Sequence, residues 1–182
     1  MTSPETHETQ PAPPNPFTAA DVLTILRNRQ WLTAAPSPEQ TVWAEHAALL
    51  LGPQVDDLAG LEDLLQLVFA YSAAAILQQP ESHAVLARHA AREVLRHLAL
   101  LLLDPQPLTS ERLKQVIAHL KDAVELRSRD LFHPLRLALA GRSGEGELDR
   151  VILLLDEASA LPFAVPVKSV HTRIVEFCAH LD

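Results

Sequence analysis

Apolar residues recur along most of the chain at the three- and four-residue spacings of amphipathic helices. In the first half of the chain this pattern predicts four helices, over residues 18–29, 38–51, 61–78 and 82–103. Thr18 is predicted to cap the first helix, and Ser37 and Gln40 form a capping box at the start of the second. The same period therefore accounts for nearly all of the first hundred residues after a short N-terminal segment.

The second half has the same periodicity but more prolines and glycines. Thr109 or Ser110 is predicted to cap a helix that ends near residue 126, and residues 127–129 then form a turn. Pro134 is predicted to be the first residue of a short helix that ends at Gly141. Two further helices are predicted, one over residues 147–159 and one that ends near residue 181.

Two segments interrupt the helical pattern. Residues 1–16 hold five of the fourteen prolines and no Leu, Ile or Val, so residues 1–17 are predicted to be a disordered, proline-rich tail. The sequence Asp104-Pro105-Gln106-Pro107 breaks the chain in the middle. We therefore expect an N-terminal helical subdomain over residues 18–104 and a C-terminal one over residues 105–182.

Composition supports the helical interpretation. The 182 residues include 33 leucines and 26 alanines, but 5 glycines and 8 aromatic residues, which disfavours a sheet of β-branched and aromatic pairs. The expected fold is all-α, a helical bundle or cage of about seven to eight helices in two small subdomains.

The compartment is predicted from cysteine use and from apolar runs. Cys178 is the single cysteine, so no disulfide forms within the chain. The first residues do not resemble a signal peptide, and the longest apolar runs are far shorter than the ~18 residues that span a membrane. We expect a cytoplasmic protein that does not associate with membranes.

Motifs for catalysis and metal binding give no candidate. Residues 151–157 imitate the apolar run and acidic end of a Walker B strand, but the chain has no phosphate-binding loop of the matching type. The glycine-rich segment 141–146 is predicted to be a turn between helices rather than a phosphate cradle. The nine histidines show no metal-ligand spacing, and no serine or cysteine has the surroundings of a nucleophile. We expect no enzymatic activity from this chain alone, no cofactor and no metal.

Charge is distributed unevenly. The net charge of −8 excludes a protein that coats nucleic acid by bulk attraction. Residues 105–142, however, contain seven basic and four acidic residues, whereas both flanking segments are acidic. A second basic stripe, Arg88, His89, Arg92 and Arg96, is predicted along the helix over 82–103, as a solvated face or as a contact for RNA or a partner.

Four arginines lie close together in the basic segment: Arg127, Arg129, Arg136 and Arg142. Arginines at helix ends suit phosphate groups, because the planar guanidinium can hold two oxygens at once. The alternative is that one or two of them pair with Asp130 or bind carbonyl groups at helix ends. Pro134 and Gly141 are predicted to set the backbone geometry between these arginines.

The stretch Arg127-Ser128-Arg129-Asp130-Leu131-Phe132-His133-Pro134-Leu135-Arg136-Leu137-Ala138-Leu139-Ala140-Gly141-Arg142 resembles a signature of the C-terminal anticodon-binding domain of bacterial glutamyl-tRNA synthetases, a class I family. That signature has a basic turn, Phe, Pro-Leu-Arg and an Ala-Leu-Thr-Gly helix end, at the same spacing. A weaker similarity extends back to about residue 58. In this chain Ala140 stands at the threonine position, and residues 56–63 are acidic where the family tends to be basic.

The resemblance implies an α-helical cage that packs against the anticodon stem-loop of a tRNA, with phosphate contacts from the four arginines. The chain contains neither the HIGH-like nor the KMSKS-like signature of the catalytic half. We expect a free-standing tRNA-binding domain, acting as an accessory to aminoacylation or complementing a synthetase catalytic domain in trans. The alternative is a paralogue that lost RNA binding and serves as a protein-interaction module on a synthetase or another partner.

Overall fold

A computed structural model describes residues 15–181, and within that range the chain forms ten α-helices and no strand. In chain order the helices are α1 Ala19–Asn28, α2 Pro38–Leu51, α3 Leu58–Phe69, α4 Ala73–Leu77, α5 Pro80–Leu86, α6 Ala91–Leu101, α7 Ser110–Val124, α8 Arg129–Ala140, α9 Glu147–Ser159 and α10 Val170–Ala179. A 3₁₀ turn, Gly52–Gln54, follows α2. The predicted all-α class is confirmed.

Local capping chemistry begins the helices where the sequence predicted it. At α1 the Asp21 carboxylate accepts the backbone N–H of Thr18 at 2.8 Å. At α2 the Ser37 hydroxyl accepts the N–H of Gln40 at 3.1 Å, and the Gln40 side chain accepts the N–H of Ser37 at 2.9 Å. Each bond satisfies a donor that a helix start leaves without an intrahelical partner.

The helix predicted over residues 61–78 is wrong in its extent. It is two helices, α3 and α4, separated by Ala70–Ser72, and α3 begins earlier because the Asp57 carboxylate caps it by accepting the N–H of Gly60 at 2.8 Å. Between them Tyr71 turns inward and donates its hydroxyl to the carbonyl of Ala138. A tertiary contact therefore overrides a continuous helical pattern.

The helix predicted over residues 82–103 is also two helices, α5 and α6. Ala90 has φ 60° and ψ 7°, a left-handed conformation that ends one helical path and starts another. The continuous basic stripe predicted for this segment is consequently wrong. Arg88 and His89 lie in the connection, and Arg92 on α6 donates to the carbonyl of Leu181 at 3.1 Å.

The start predicted for the next short helix is wrong, whereas its end is confirmed. The helix α8 begins at Arg129 rather than Pro134, and Pro134 is inside it. Proline there removes one N–H that would donate to the carbonyl of Asp130, a loss that the buried face of the helix outweighs. Gly141 ends α8 with φ 87°, the left-handed cap for which glycine is suited.

The core is built around α8, whose residues 134–140 are all buried. Helices α6 and α10 pack against α8 on one side, and α9 packs against it and against α2 and α3. Four aromatic rings fill the region between α2, α3 and α9, with Trp31 stacked on Phe69 at 4.6 Å between ring centroids and Trp43 and Phe163 edge-on to Phe69. Helices from both sides of residue 104 thus contact one another, and the two-subdomain division stays a prediction.

A charged side chain lies inside this core. Arg173 of α10 is 0% exposed, and its guanidinium donates to four backbone carbonyls, those of Leu67, Val68, Leu139 and Lys168, at 2.7–3.0 Å. These carbonyls belong to the last turns of α3 and α8 and to the segment before α10. Arg173 therefore ties three parts of the fold together through groups that helix ends leave unpaired.

The prediction of a disordered tail falls mainly on residues outside the described range. Within it, the Asn15 side chain donates to the carbonyl of Ala48 at 2.8 Å, and Phe17 packs against the core. Across residues 15–181, none of the helices combines the length and the apolar content that crossing a membrane requires.

Candidate nucleic-acid interface

Arg127 and Arg129 flank the junction between α7 and α8. Both are exposed, and neither has a hydrogen-bond or ion-pair partner among residues 15–181. The junction is shaped by two residues with positive φ, Glu125 in the left-handed conformation (φ 54°, ψ 25°) and Ser128 (φ 54°, ψ −137°), which turn the chain sharply between the helices. The two guanidinium groups are consequently held at a corner of the fold and are accessible to an anion.

An open cavity of about 770 Å³ adjoins this corner. Its lining combines two cations, Lys121 and Arg127, with the half-buried ring of Phe132. The Lys121 ammonium lies 5.9 Å from the Phe132 ring centroid, and Asp122, Glu125 and Ser128 complete the lining. Cations beside an aromatic ring suit a ligand that has both phosphates and planar bases.

Arg136 does not belong to this exposed set, which corrects the sequence prediction for that residue. It is 8% exposed, and its guanidinium binds Asp149 through two hydrogen bonds of 2.8 and 2.9 Å and donates to the carbonyl of Gly144 at 2.7 Å. The flat face of the Arg136 guanidinium stacks over the Phe132 ring, and its carbon lies 4.7 Å from the ring centroid. Arg136 therefore joins α8 to α9 and has a structural role.

Arg142 is exposed but lies at the opposite end of α8. A helix rises 1.5 Å per residue, so the thirteen positions from Arg129 to Arg142 span about 20 Å. Arg127 and Arg129 thus lie close together, whereas Arg142 is about 20 Å from Arg129, a distance that spans more than one phosphate of an RNA backbone. Gly141 next to it packs tightly, since a Cβ there would lie 3.2 Å from the Ile76 side chain.

Two basic residues, Arg88 and His133, lie near Arg129 in the fold, and the sequence analysis did not place them in the same site. Arg88, from the connection between α5 and α6, contacts the Asp130 carboxylate at 3.5 Å, and His133 lies one turn after Arg129 on α8. Burial first, and then the positive charges of Arg88, Arg129 and Arg136, hold the pKa of His133 below its ordinary value. The four-residue spacing of Arg129 and His133 is a sequence signal that these two side chains share one face of a helix. No feature of the sequence indicates that Arg88 lies beside them.

The acidic segment at residues 56–63 is partly occupied by structural contacts. Asp57 caps α3, and Glu62 pairs with Arg29 at 2.8 Å, with both side chains about two-fifths exposed. Asp156, from the run that imitates a Walker B strand, lies in α9 and accepts the N–H groups of Leu108 and Val170 at 2.6 and 2.8 Å. Residues 15–181 contain no group of three or more His, Cys, Asp or Glu that could hold a metal ion.

The fold and the site define an all-helical protein with a basic corner, a class that includes RNA-binding domains. A family model described as "Anticodon binding domain" matches residues 19–161, and the chain belongs to this family. The resemblance of residues 127–142 to the anticodon-binding domain is thereby confirmed.

Two curated relatives are glutamate–tRNA ligases. The chain is 27% identical over 139 residues to the ligase of Exiguobacterium sibiricum and 28% identical over 130 residues to that of Geobacillus stearothermophilus. These matches cover 76% and 71% of this chain but 28% and 26% of the ligases, so the chain spans about a quarter of its relatives' length. No solved structure matches it.

Proposed function

We propose that this chain binds tRNA through the corner between α7 and α8, with Arg127 and Arg129 on backbone phosphates. The observation that carries the proposal is that these two exposed arginines, without partners in the described range, fall inside the segment that resembles the synthetase signature. Arg142 extends the same contact to the far end of α8. The cavity beside Phe132 offers a ring on which an unstacked base can lie.

Titration of a glutamate tRNA transcript at several salt concentrations tests this proposal. Phosphate contacts release counterions, so the logarithm of the binding constant should fall linearly with the logarithm of the salt concentration. Arg127→Ala and Arg129→Ala should each weaken binding several-fold and reduce that slope by about 1. Arg27→Ala is the matched control, because Arg27 is an exposed arginine on α1, outside the basic segment.

A slope near zero, or equal affinity for the wild-type chain and the Arg127→Ala/Arg129→Ala double variant, would contradict the proposal. An affinity loss in Arg27→Ala as large as in the double variant would also contradict it, since it would indicate general charge attraction.

We further propose that the chain acts in aminoacylation as a non-catalytic accessory, and that it can complement a synthetase catalytic domain in trans. The support is that its relatives are glutamate–tRNA ligases, whereas these 182 residues contain neither catalytic signature. Adding the chain to a glutamyl-tRNA synthetase truncated before its own anticodon-binding domain should lower the KM for tRNA. The Arg127→Ala/Arg129→Ala variant should not restore activity, and restoration by that variant would refute this role.

A second candidate function is docking on a protein partner, favoured by an apolar face of α2. Val42 and Leu49 are 56% and 65% exposed and lie two helical turns apart. The same helix contributes His46 and Leu50 to the lining of a cavity of about 370 Å³, together with Leu153 of α9. If this face binds the synthetase, the Val42→Ser/Leu49→Ser variant should lose the complex by sedimentation velocity yet keep its tRNA affinity; an unchanged complex would exclude the face.

A further inference from the structure

Three basic side chains converge near the start of α8, and we call Arg88, Arg129 and His133 the His133 cluster. Arg129 and His133 are four residues apart on the helix, which places their Cβ atoms about 5–6 Å from each other. Arg88 reaches the same place from the connection between α5 and α6, where its guanidinium lies 3.5 Å from the Asp130 carboxylate. His133 is half-buried, so its imidazole is accessible from one side.

The charges that face His133 come from three parts of the fold. Arg88 belongs to the α5–α6 connection, Arg129 and Arg136 to α8, and Glu145 to the segment before α9. Arg136 is neutralised by its two bonds to Asp149, and within the described part of the chain Arg88 has only the long contact to Asp130. Arg129 has no partner among residues 15–181, so the surroundings of the imidazole are positive.

This arrangement disfavours a positive charge on His133 in addition to those of Arg88 and Arg129. An anion held between the guanidinium groups would reverse that preference, because an opposite charge within ~4–6 Å stabilises the imidazolium. A phosphate group has the charge and the oxygens to accept from two guanidiniums and one imidazolium at once. The cluster is therefore suited to bind an anion, and binding of the anion favours protonation of His133.

We propose that the His133 cluster is a phosphate subsite for bound RNA, in which His133 takes up a proton as a phosphodiester enters between Arg88 and Arg129. This inference rests on the proposed RNA-binding function and adds to it a contact from α5–α6 and a dependence on pH. Binding becomes tighter as the pH falls, because the complex holds one proton more than the free chain.

The size of the effect follows from the linkage between binding and protonation. A neighbouring opposite charge raises a pKa by about 1–3 units, and affinity changes up to tenfold per pH unit between the free and bound values. We expect tRNA to bind about tenfold more tightly at pH 5.5 than at pH 7.5 at constant ionic strength. His133→Gln, which keeps a neutral polar side chain but cannot take up a proton, should remove most of this difference.

The test measures dissociation constants for the tRNA transcript at pH 5.5, 6.5 and 7.5 with the wild-type chain, His133→Gln and the control His46→Gln. His46 lies on α2, where its partner is Glu157, so its replacement should leave the pH dependence intact. Circular dichroism melts at each pH verify that every variant is folded.

Two outcomes are distinguishable. Absence of tRNA binding at every pH refutes the proposed function itself, whereas equal binding at pH 5.5 and 7.5, or full pH dependence in His133→Gln, overturns this inference alone. A second readout follows the His133 ring by NMR, assigned by its disappearance in His133→Gln. Its titration midpoint should rise on addition of inorganic phosphate and, without phosphate, also rise in Arg88→Gln; no movement in either case overturns the subsite.

Discussion

Replacing Arg173 by methionine removes the guanidinium group that joins α3, α8 and α10 and leaves an apolar side chain of similar length. Four backbone carbonyls lose their donor, and the aromatic face of Tyr71, 4.5 Å from the guanidinium carbon, loses its cation. The site has no solvent access through which water could replace these bonds, since Arg173 is 0% exposed. The variant therefore isolates the net contribution of a buried charge that is held by backbone carbonyls and an aromatic ring.

Two opposing terms set the magnitude. Hydrogen bonds from a charged donor contribute about 1.5–3 kcal/mol each, and four are lost. Against this, burial lowers the pKa of Arg173 from its ordinary value to about 10, which corresponds to a penalty of about 3 kcal/mol for the charged form. The lost bonds exceed this penalty, and the unpaired carbonyls remain buried. We therefore expect Arg173→Met to lower the free energy of unfolding by at least about 3 kcal/mol.

Urea denaturation followed by the fluorescence of Trp31 and Trp43, both buried, measures this change. Arg173→Lys should be intermediate, since one ammonium reaches fewer of the four carbonyls. The exposed Arg150 supplies the control, and Arg150→Met should change the free energy by less than about 0.5 kcal/mol. A methionine variant within about 1 kcal/mol of the wild type would refute the reasoning, because apolar packing would then replace the charge without loss.

Three further predictions concern the surroundings of α8 and α10. Arg136→Lys should lower the free energy of unfolding by about 2 kcal/mol through loss of the two-bond contact to Asp149, yet leave the salt dependence of tRNA binding unchanged; a reduced salt slope would return Arg136 to the interface. Gly141→Ala should cost about 1–2 kcal/mol at φ 87°, and an unchanged melting temperature would contradict the strain. Burial alone would raise the pKa of the Glu176 carboxyl. The hydrogen bond from Lys168 at 2.7 Å, the backbone N–H of Ala73 and the positive charge of Lys168 together hold this pKa below 4.5. The stability from the Lys168–Glu176 ion pair is thus present above pH 4.5 and lost as the pH falls through the folded pKa. Thermal melts at acid pH should therefore depend less on pH in Glu176→Gln than in the wild type. An equal pH dependence would show that this ion pair does not contribute to stability.

Helix ends were predictable where the signal is local. Thr18, Ser37 and Gly141 each act on backbone groups within four residues, and all three appear where the sequence places them. At the break between α3 and α4 the local signal is Ser72, whose hydroxyl accepts the N–H of Ala75 at 3.3 Å and caps α4. The break at Ala90 has no such signal, because alanine in a helical period gives no reason to stop. The inward position of Tyr71, which reaches a carbonyl on α8, and the left-handed backbone of Ala90 are properties of the packed chain.

The candidate site divides in the same way. The exposure of Arg127 and Arg129 follows from their place at a helix junction, which the sequence indicates. The burial of Arg136 depends on Asp149, thirteen residues later on the next helix, and Arg88 joins the site from forty-one residues before Arg129. Charge counted along the sequence therefore included one structural arginine and left out one surface arginine, because pairing is decided by distance in space.

The number of basic side chains without a structural partner predicts the salt dependence of tRNA binding. Of the basic residues in 105–142, Arg136 is paired with Asp149, and Arg112 donates to the carbonyls of Asp104 and Gln106. Five exposed side chains remain, those of Lys114, Lys121, Arg127, Arg129 and Arg142, and Arg88 from the His133 cluster makes six candidate phosphate contacts. With about 0.7–0.9 counterions released per contact, the slope of log K against log salt should be about −4 to −5. A slope of −6 or steeper in the same titration would require cations outside this corner and would contradict the interface, since the rest of the surface is predominantly acidic.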